Sequence, residues 1–363
     1  MKAWRLNSIG DIGFLSVDKP VINPGEVLIR VMAAGICGSD IPRIFKTGAH
    51  KMPLIPGHEF SGIVEETGRD VLDLWTGKRV GIFPLIPCRA CGPCKAGHPE
   101  MCRNYDYIGS RRDGAFAEYV TVPAENLIEL PDEVSFEEGA MLEPMAVAAH
   151  AMHLALNGCG TPLCRDAKLV VCGLGTIGLL LVMFLLDQGF ENVYVIGNRP
   201  EQKKRALSLG IREENWCNSR EDDALKWITG TVSGADAFFE CVGRNECISL
   251  GIDAAAPGGR ILLVGNPYSD MSFPKDTYWK ILRNQLTLKG TWNSTFLSRD
   301  PAEDAPDDWQ FVMQRLLEGS ICPERLITHR LKLEEMDRGF HIMKDKTEDC
   351  CKIMMIHNRL KGE

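Results

Sequence analysis

The chain has 363 residues, 45% of them apolar and 25% charged, proportions of an ordinary globular protein large enough for two domains. A formal net charge of −8 argues against nucleic acid or an anionic membrane surface as a partner. Lys2, Arg5 and Asp11 interrupt the N-terminus, so no signal peptide is expected, and the cysteines outside metal sites read as reduced thiols of a cytoplasmic protein, among them Cys159, Cys164, Cys172, Cys241, Cys350 and Cys351.

The first 145 or so residues are rich in short β runs with turns between them. Val27–Val31 and Phe116–Val120 are the clearest, and together they predict a β-barrel-like domain. Between these runs stands Gly35-Ile36-Cys37-Gly38-Ser39-Asp40, followed by Gly57-His58-Glu59, and Glu143-Pro144 later closes an apolar run. Singly, Cys37 reads as a core thiol, His58 as a turn residue and Glu143 as a helix-start carboxylate. Together, one Cys, one His and one or two Glu form the mixed donor set of an open, catalytic zinc site. Asp40 is placed to orient His58 through its second ring nitrogen, and Ser39 to pass a substrate proton toward solvent.

Cys88-Arg-Ala-Cys91-Gly-Pro-Cys94 runs on to Cys102 in a hydrophilic lobe. Four thiolates this close can enclose one tetrahedral Zn²⁺ unaided, and Gly92, Pro93 and Gly97 supply the turns that aim the sulfurs inward. A closed shell leaves no coordination position free, so this second zinc is expected to be structural.

From about residue 148 strands and helices alternate, which predicts a doubly wound parallel sheet with its ligand at the strand C-termini. Lys168–Cys172 reads as a buried strand, Gly173-Leu174-Gly175-Thr176-Ile177-Gly178 as a phosphate-binding turn, and the stretch to Gln188 as a helix. Leu169 to Leu186 carries no charge and has the length of a membrane span, but its glycines split it into strand, turn and helix. Val193–Ile196 and Ala235–Glu240 are expected strands, 200–209 and 246–255 helices, 260–264 a strand, and 307–318 an amphipathic helix. An acid is expected about 20 residues past the turn in an NAD site. Here the second strand is followed by Gly197-Asn198-Arg199-Pro200, with none. Gly197 is expected to leave room at the ribose, and Arg199 to offer a charged fork to a 2′-phosphate, with Lys203 and Lys204 adding attraction. NADP is therefore expected over NAD.

With these motifs in this order, the chain resembles the zinc-dependent medium-chain alcohol/polyol dehydrogenases over nearly its whole length. Cys37–Lys46 continuing to His50, and Tyr107–Gly114, are most similar to the branch acting on polyol phosphates such as galactitol 1-phosphate. The resemblance implies an α/β protein with a GroES-like catalytic domain (1–148), a Rossmann domain (149–291), a return to the first domain (292–363) and an active site in the cleft between domains. It also implies a homodimer or homotetramer. By resemblance the catalytic zinc falls on Cys37, His58 and Glu143, with Glu59 a direct or alternating ligand. Arg43, Lys46, Arg111 and Arg112 fall in the segments around the active site, where guanidinium forks suit a substrate phosphate. Two readings compete with a polyol-phosphate dehydrogenase: a dehydrogenase of unphosphorylated polyols such as sorbitol, and a non-catalytic zinc-bearing binding protein. The basic patches with interleaved aromatics that would favour nucleic-acid binding are absent from the sequence.

Overall fold

In the computed structural model, which describes residues 1–157, 162–297 and 306–357, the chain divides into two units, Met1–Glu143 with Thr295–Glu363 and Pro144–Ser294. Cys159 lies outside the described residues. Among the described residues no helix is long and apolar enough to cross a membrane.

The first unit opens with an antiparallel pair, Lys2–Ser8 (β1) and Asp11–Ser16 (β2). Glu26–Ile36 (β3) and Glu59–Thr67 (β4) follow. After them come Arg79–Ile82 (β5), Leu85–Ile86 (β6), Asp106–Tyr107 (β7), Tyr119–Pro123 (β8) and Leu127–Glu129 (β9). The strand expected over Phe116–Val120 begins only at Tyr119. Phe116 and Ala117 instead make isolated backbone contacts, Phe116 N–H donating to Pro56 at 2.9 Å and Ala117 bridging Ala3.

The second unit is a six-stranded, all-parallel sheet. Its strands are Leu169–Cys172 (β10), Val193–Gly197 (β11), Trp216–Asn218 (β12), Ala235–Glu240 (β13), Ala255–Leu263 (β14) and Thr287–Gly290 (β15). Their spatial order is β12-β11-β10-β13-β14-β15, so the winding reverses between β10 and β13, where doubly wound sheets bind their ligands. The charge-free run after β10 becomes the helix Thr176–Asp187, buried along Gly178–Leu185. Burial all round accounts for its composition.

Three glycines of the turn have three different reasons. Gly173 has φ +95°, and a Cβ there would meet Val242 Cγ2 at 2.5 Å. A Cβ on Gly178 would lie 2.0 Å from the carbonyl oxygen of Gly173, so helix and strand can close up only over glycine. Gly175 has nothing within 4 Å of its would-be Cβ, leaving its backbone open to a ligand.

The chain then returns to the first unit with Ile327–Leu331 (β16) and Lys352–Ile356 (β17). The main sheet there has the order β16-β17-β3-β4-β5-β9, with β8 also on β3. β3 is shared: its first half pairs with β8 and its second half with β17, while β4 runs along most of it. Nearly every residue of β3 is buried, which is why it reads as a continuous apolar run. The indole N–H of Trp4 donates to Leu333 at 2.6 Å, and its ring meets Phe340 edge-on, joining the first strand to the returning segment.

We expect Gly178→Ala to cost about 1–3 kcal/mol by overpacking. Gly175→Ala should stay within about 0.5 kcal/mol of the parent. Urea unfolding of the two variants checks this contrast.

Candidate metal centres and dinucleotide site

β3 ends one residue before Cys37, and β4 begins at Glu59, which stands opposite Gly35 in the ladder. That register brings Cys37, His58 and Glu59 together, with one donor atom of each within 4.8 Å of the others. Gly57, with φ +101°, is required at the approach, because a Cβ would lie 2.7 Å from the Phe116 ring. Glu59 folds over Gly35 and pairs with Lys352 of β17 at 2.5 Å, both side chains being 2% exposed. The Lys352 ammonium also donates to the Ile36 carbonyl at 3.3 Å.

Asp40 is completely buried. It accepts the Cys37 backbone N–H at 3.0 Å, pairs with Arg43, and lies 3.5 Å from Nδ1 of His58, within reach of its charge but beyond a well-formed hydrogen bond. The Ser39 hydroxyl donates to Cys37 Sγ at 3.3 Å.

Glu143 lies outside the trio. Its helix, Phe136–Asn157, starts at a capping box in which Ser135 and Glu138 exchange backbone-to-side-chain bonds of 2.8 and 3.1 Å, and it continues through Pro144, so Glu143 lies inside the helix and not at its start. The Tyr107 hydroxyl donates to Glu143 Oε1 at 3.2 Å, and the Tyr107 ring meets His58 edge-on.

Burial pushes the Glu143 carboxyl up to about 7. Burial opposes a charged His58, yet Asp40 and Cys37 together hold its pKa well above the usual value. Asp40, Glu59 and Glu143 bring three carboxyls against two cations, Lys352 and Arg43, and Cys37 bound to a metal would add a thiolate to that deficit. A dication among the trio closes this deficit with His58 neutral, and a thiolate, an imidazole and a carboxylate are donors that suit zinc.

The cysteine lobe is a separate cluster. The sulfurs of Cys88, Cys91, Cys94 and Cys102 lie within 4.8 Å of one another, with Cys91 at 3.5 Å from Cys94 and 3.9 Å from Cys102. Zn–S bonds of about 2.3 Å imply tetrahedral S···S edges of about 3.8 Å. All four thiols are free of disulfides. Backbone N–H groups of Arg103 and Cys94 bring Cys91 down to about 6, whereas burial and the neighbouring sulfurs push Cys94 up to about 12, so the four cannot all ionise without a cation. These residues fit a closed zinc shell.

In the second unit, Thr176 and Ile177 open the helix that Gly175 precedes. Gln202 ties this turn to the end of β11, donating to Leu174 O at 3.1 Å and accepting Asn198 N–H at 3.0 Å. The room expected beside Gly197 is not there. A Cβ would lie 2.4 Å from Cη2 of Trp216, because β12 runs alongside and lays its indole over the glycine. The Arg199 side chain makes no hydrogen bond or ion pair with the described residues and lines a cavity of about 400 Å³. Lys203 is held by Glu213 at 2.7 Å, which neutralises the attraction expected of it.

The four expected substrate cations differ. Arg43 is paired with Asp40, and Arg112 with Glu26 at 2.6 Å. Lys46 lies in the turn Arg43–Thr47. The Arg111 guanidinium stacks on Tyr105, 4.3 Å from the ring centre, and its buried Nε has no partner. Its turn is pressed against the approach to His58, since a Cβ on Gly109 or Gly114 would lie 2.4 or 2.1 Å from Gly57 O.

Tyr107, Lys352, Gln202 and Trp216 were missed in the sequence. A lone lysine opening the apolar run Lys352–Ile356 was a usable signal. Trp216 had none, because its role depends on strand register.

The family model described as alcohol dehydrogenase GroES-like domain matches residues 23–132, and the one described as zinc-binding dehydrogenase matches residues 176–317. Galactitol 1-phosphate 5-dehydrogenase of Escherichia coli (strain K12) is 34% identical over 88% of this chain and 89% of its own. L-idonate 5-dehydrogenase of Vitis vinifera is 31% identical over 93% of this chain and 89% of its own. The crystal structure of galactitol-1-phosphate dehydrogenase from Escherichia coli matches with a TM-score of 0.88 at 33% identity, covering 98% of this chain and 100% of that one.

Breaking the buried Lys352–Glu59 pair from one side should be expensive. We expect Lys352→Met to lower stability by about 3–5 kcal/mol, and Lys352→Met with Glu59→Gln to regain most of that loss. Denaturant unfolding of the single and double variants measures both.

Proposed function

This chain belongs to the zinc-dependent medium-chain dehydrogenases, and we propose that within that family it transfers a hydride between a secondary alcohol of a polyol phosphate, of the galactitol 1-phosphate kind, and NADP. The observation that carries the reading is the Cys37/His58/Glu59 donor set, with His58 and Glu59 buried and one donor atom of each within 4.8 Å of the others. Cys37, His58 and a carboxylate, Glu59 or Glu143, would hold the catalytic zinc, and the four-cysteine lobe a structural one, making two per chain.

Zinc supplies Lewis acidity toward an alcohol oxygen, and the nicotinamide supplies the hydride acceptor. The chain's own residues do the rest. Asp40 holds the Cys37 backbone and sets the field at His58. Ser39, partly exposed and already bonded to Cys37 Sγ, passes the alcohol proton toward solvent. The Gly173–Gly178 turn takes the pyrophosphate at the N-terminus of Thr176–Asp187, with the backbone of Gly175 open to it.

The absence of an acid at the end of β11 and the free Arg199 support NADP, since a carboxylate there would repel a 2′-phosphate. Arg111, stacked and without a counter-charge, supports a phosphate on the substrate, as does the name of the Escherichia coli relative. The neutralised Arg43 and Arg112 favour the second reading, an unphosphorylated polyol. Tyr278, Trp279 and Leu282 lie exposed on the helix Lys275–Arg283, in the unit whose sheet ends at β15, and support a homodimer or homotetramer. Free thiols fit the reducing cytoplasm.

Steady-state kinetics with galactitol 1-phosphate and galactitol, each with NADP and NAD, tests the reading. A charge-assisted contact of about 1.5–3 kcal/mol predicts roughly a 10- to 150-fold preference for NADP in kcat/KM. Arg111→Met should raise KM for the phosphate by about 10-fold or more, with kcat little changed. Equal efficiency with galactitol would end the phosphate assignment, and a higher kcat/KM with NAD would end the cofactor assignment.

A further inference from the structure

We propose that Trp216 is a specificity-determining residue for the adenosine end of the dinucleotide. Its indole occupies the volume that any side chain at residue 197 would need, so β11 can end only in glycine and cannot present a carboxylate to the ribose. The inference rests on the NADP reading above and gives it a steric cause.

Gly197 is not glycine for the sake of its backbone. It is absent from the positive-φ residues, so an L side chain would be allowed there by conformation alone. What forbids one is packing. β11 and β12 run parallel with Val195 opposite Trp216 and Gly197 opposite Asn218, and the indole crosses back over the glycine. A Cβ at residue 197 would stand 2.4 Å from Cη2 and 2.8 Å from Cζ3 of Trp216, and 3.0 Å from Oε1 of Gln202. Either neighbour would have to move as a whole to make room. The indole is a rigid ring, not the loose end of a flexible chain. Gln202 is buried and held at both ends of its amide, by Asn198 N–H at 3.0 Å and by Leu174 O at 3.1 Å. Moving it would disturb the glycine turn itself.

Trp216 also lines the cavity of about 400 Å³ that holds Arg199. Lys203 and Glu213 cancel on its wall, and Asp222 accepts the backbone N–H of Asn218 at 3.2 Å. Glu221 and Asp222 are the acids that remain to compete with Arg199 for this space. One residue thus keeps a carboxylate away from the end of β11, while Arg199 supplies the charge that a 2′-phosphate needs.

The test is a double-mutant cycle read by thermal unfolding and by calorimetric titration of the zinc-loaded chain with NADP and with NAD. Gly197→Ala should lower Tm in the parent and lower it by much less in a Trp216→Val background, where only the 3.0 Å approach to Gln202 Oε1 remains. Gly197→Asp alone should lower Tm and weaken both dinucleotides. Gly197→Asp with Trp216→Val should bind NAD more tightly than NADP, a reversal of at least tenfold in the ratio of Kd values. If Gly197→Ala costs the same Tm in both backgrounds, or if Gly197→Asp alone keeps the parent Tm and gains NAD, Trp216 is not the gate. A folded double variant that still prefers NADP also overturns the proposal. A parent chain that binds NAD more tightly than NADP, with Glu221 or Asp222 serving the ribose, would instead overturn the NADP reading, leaving the Tm cycle to judge the packing claim separately.

Discussion

At the junction of β3 and β4 the chain buries Asp40 and Glu59 beside Cys37 and His58, with Glu143 close by, and sets only Arg43 and Lys352 against them. Uncompensated charge cannot persist in such surroundings, so the site must take up protons or a cation. The upward shifts at Glu143 and His58 are the proton answer, and a zinc ion is the answer we propose for the working protein. The same demand explains why the chain comes back to its first unit after the parallel sheet. Lys352 arrives on β17, paired with the second half of β3, and among the described residues it is the cation that pairs with Glu59. The cysteine lobe meets its own charge locally, with all four donors in one short segment, and has no need of a distant strand.

Glycine serves two purposes in this molecule. At Gly57, Gly109 and Gly114 it lets backbones meet, locking the Arg111 turn against the approach to His58. At Gly178 it lets a helix close on a strand. At Gly197 the neighbour is an aromatic ring on the next strand, and it is there that we propose the choice of cofactor is set.

Local spacing carried much of this information. The four cysteines, the glycine turn and the alternation of strand and helix all lie within short windows, where side-chain period and turn chemistry are readable. Phe116–Val120 misled because its apolar alternation continues into residues that are held by single contacts to Pro56 and Ala3 and not by a ladder. Glu143 alone reads as a helix-start carboxylate, yet the helix begins at Phe136 and passes through Pro144. Lys352 left a signal in the sequence but not its partner, and Tyr107 and Trp216 left none, for one shared reason. Each acts on a residue brought to it by strand pairing or tertiary packing, and pairing register is not written in either segment alone.

The central claim is that the charge deficit at Cys37, His58 and Glu59 is met by zinc. Anomalous diffraction from crystals of the intact chain, recorded on both sides of the zinc absorption edge, tests it most directly. Two peaks are predicted, one inside the four sulfurs and one among Cys37, His58 and a carboxylate of Glu59 or Glu143. A single peak at the cysteine lobe, in crystals of protein that turns over a polyol phosphate, would contradict the account.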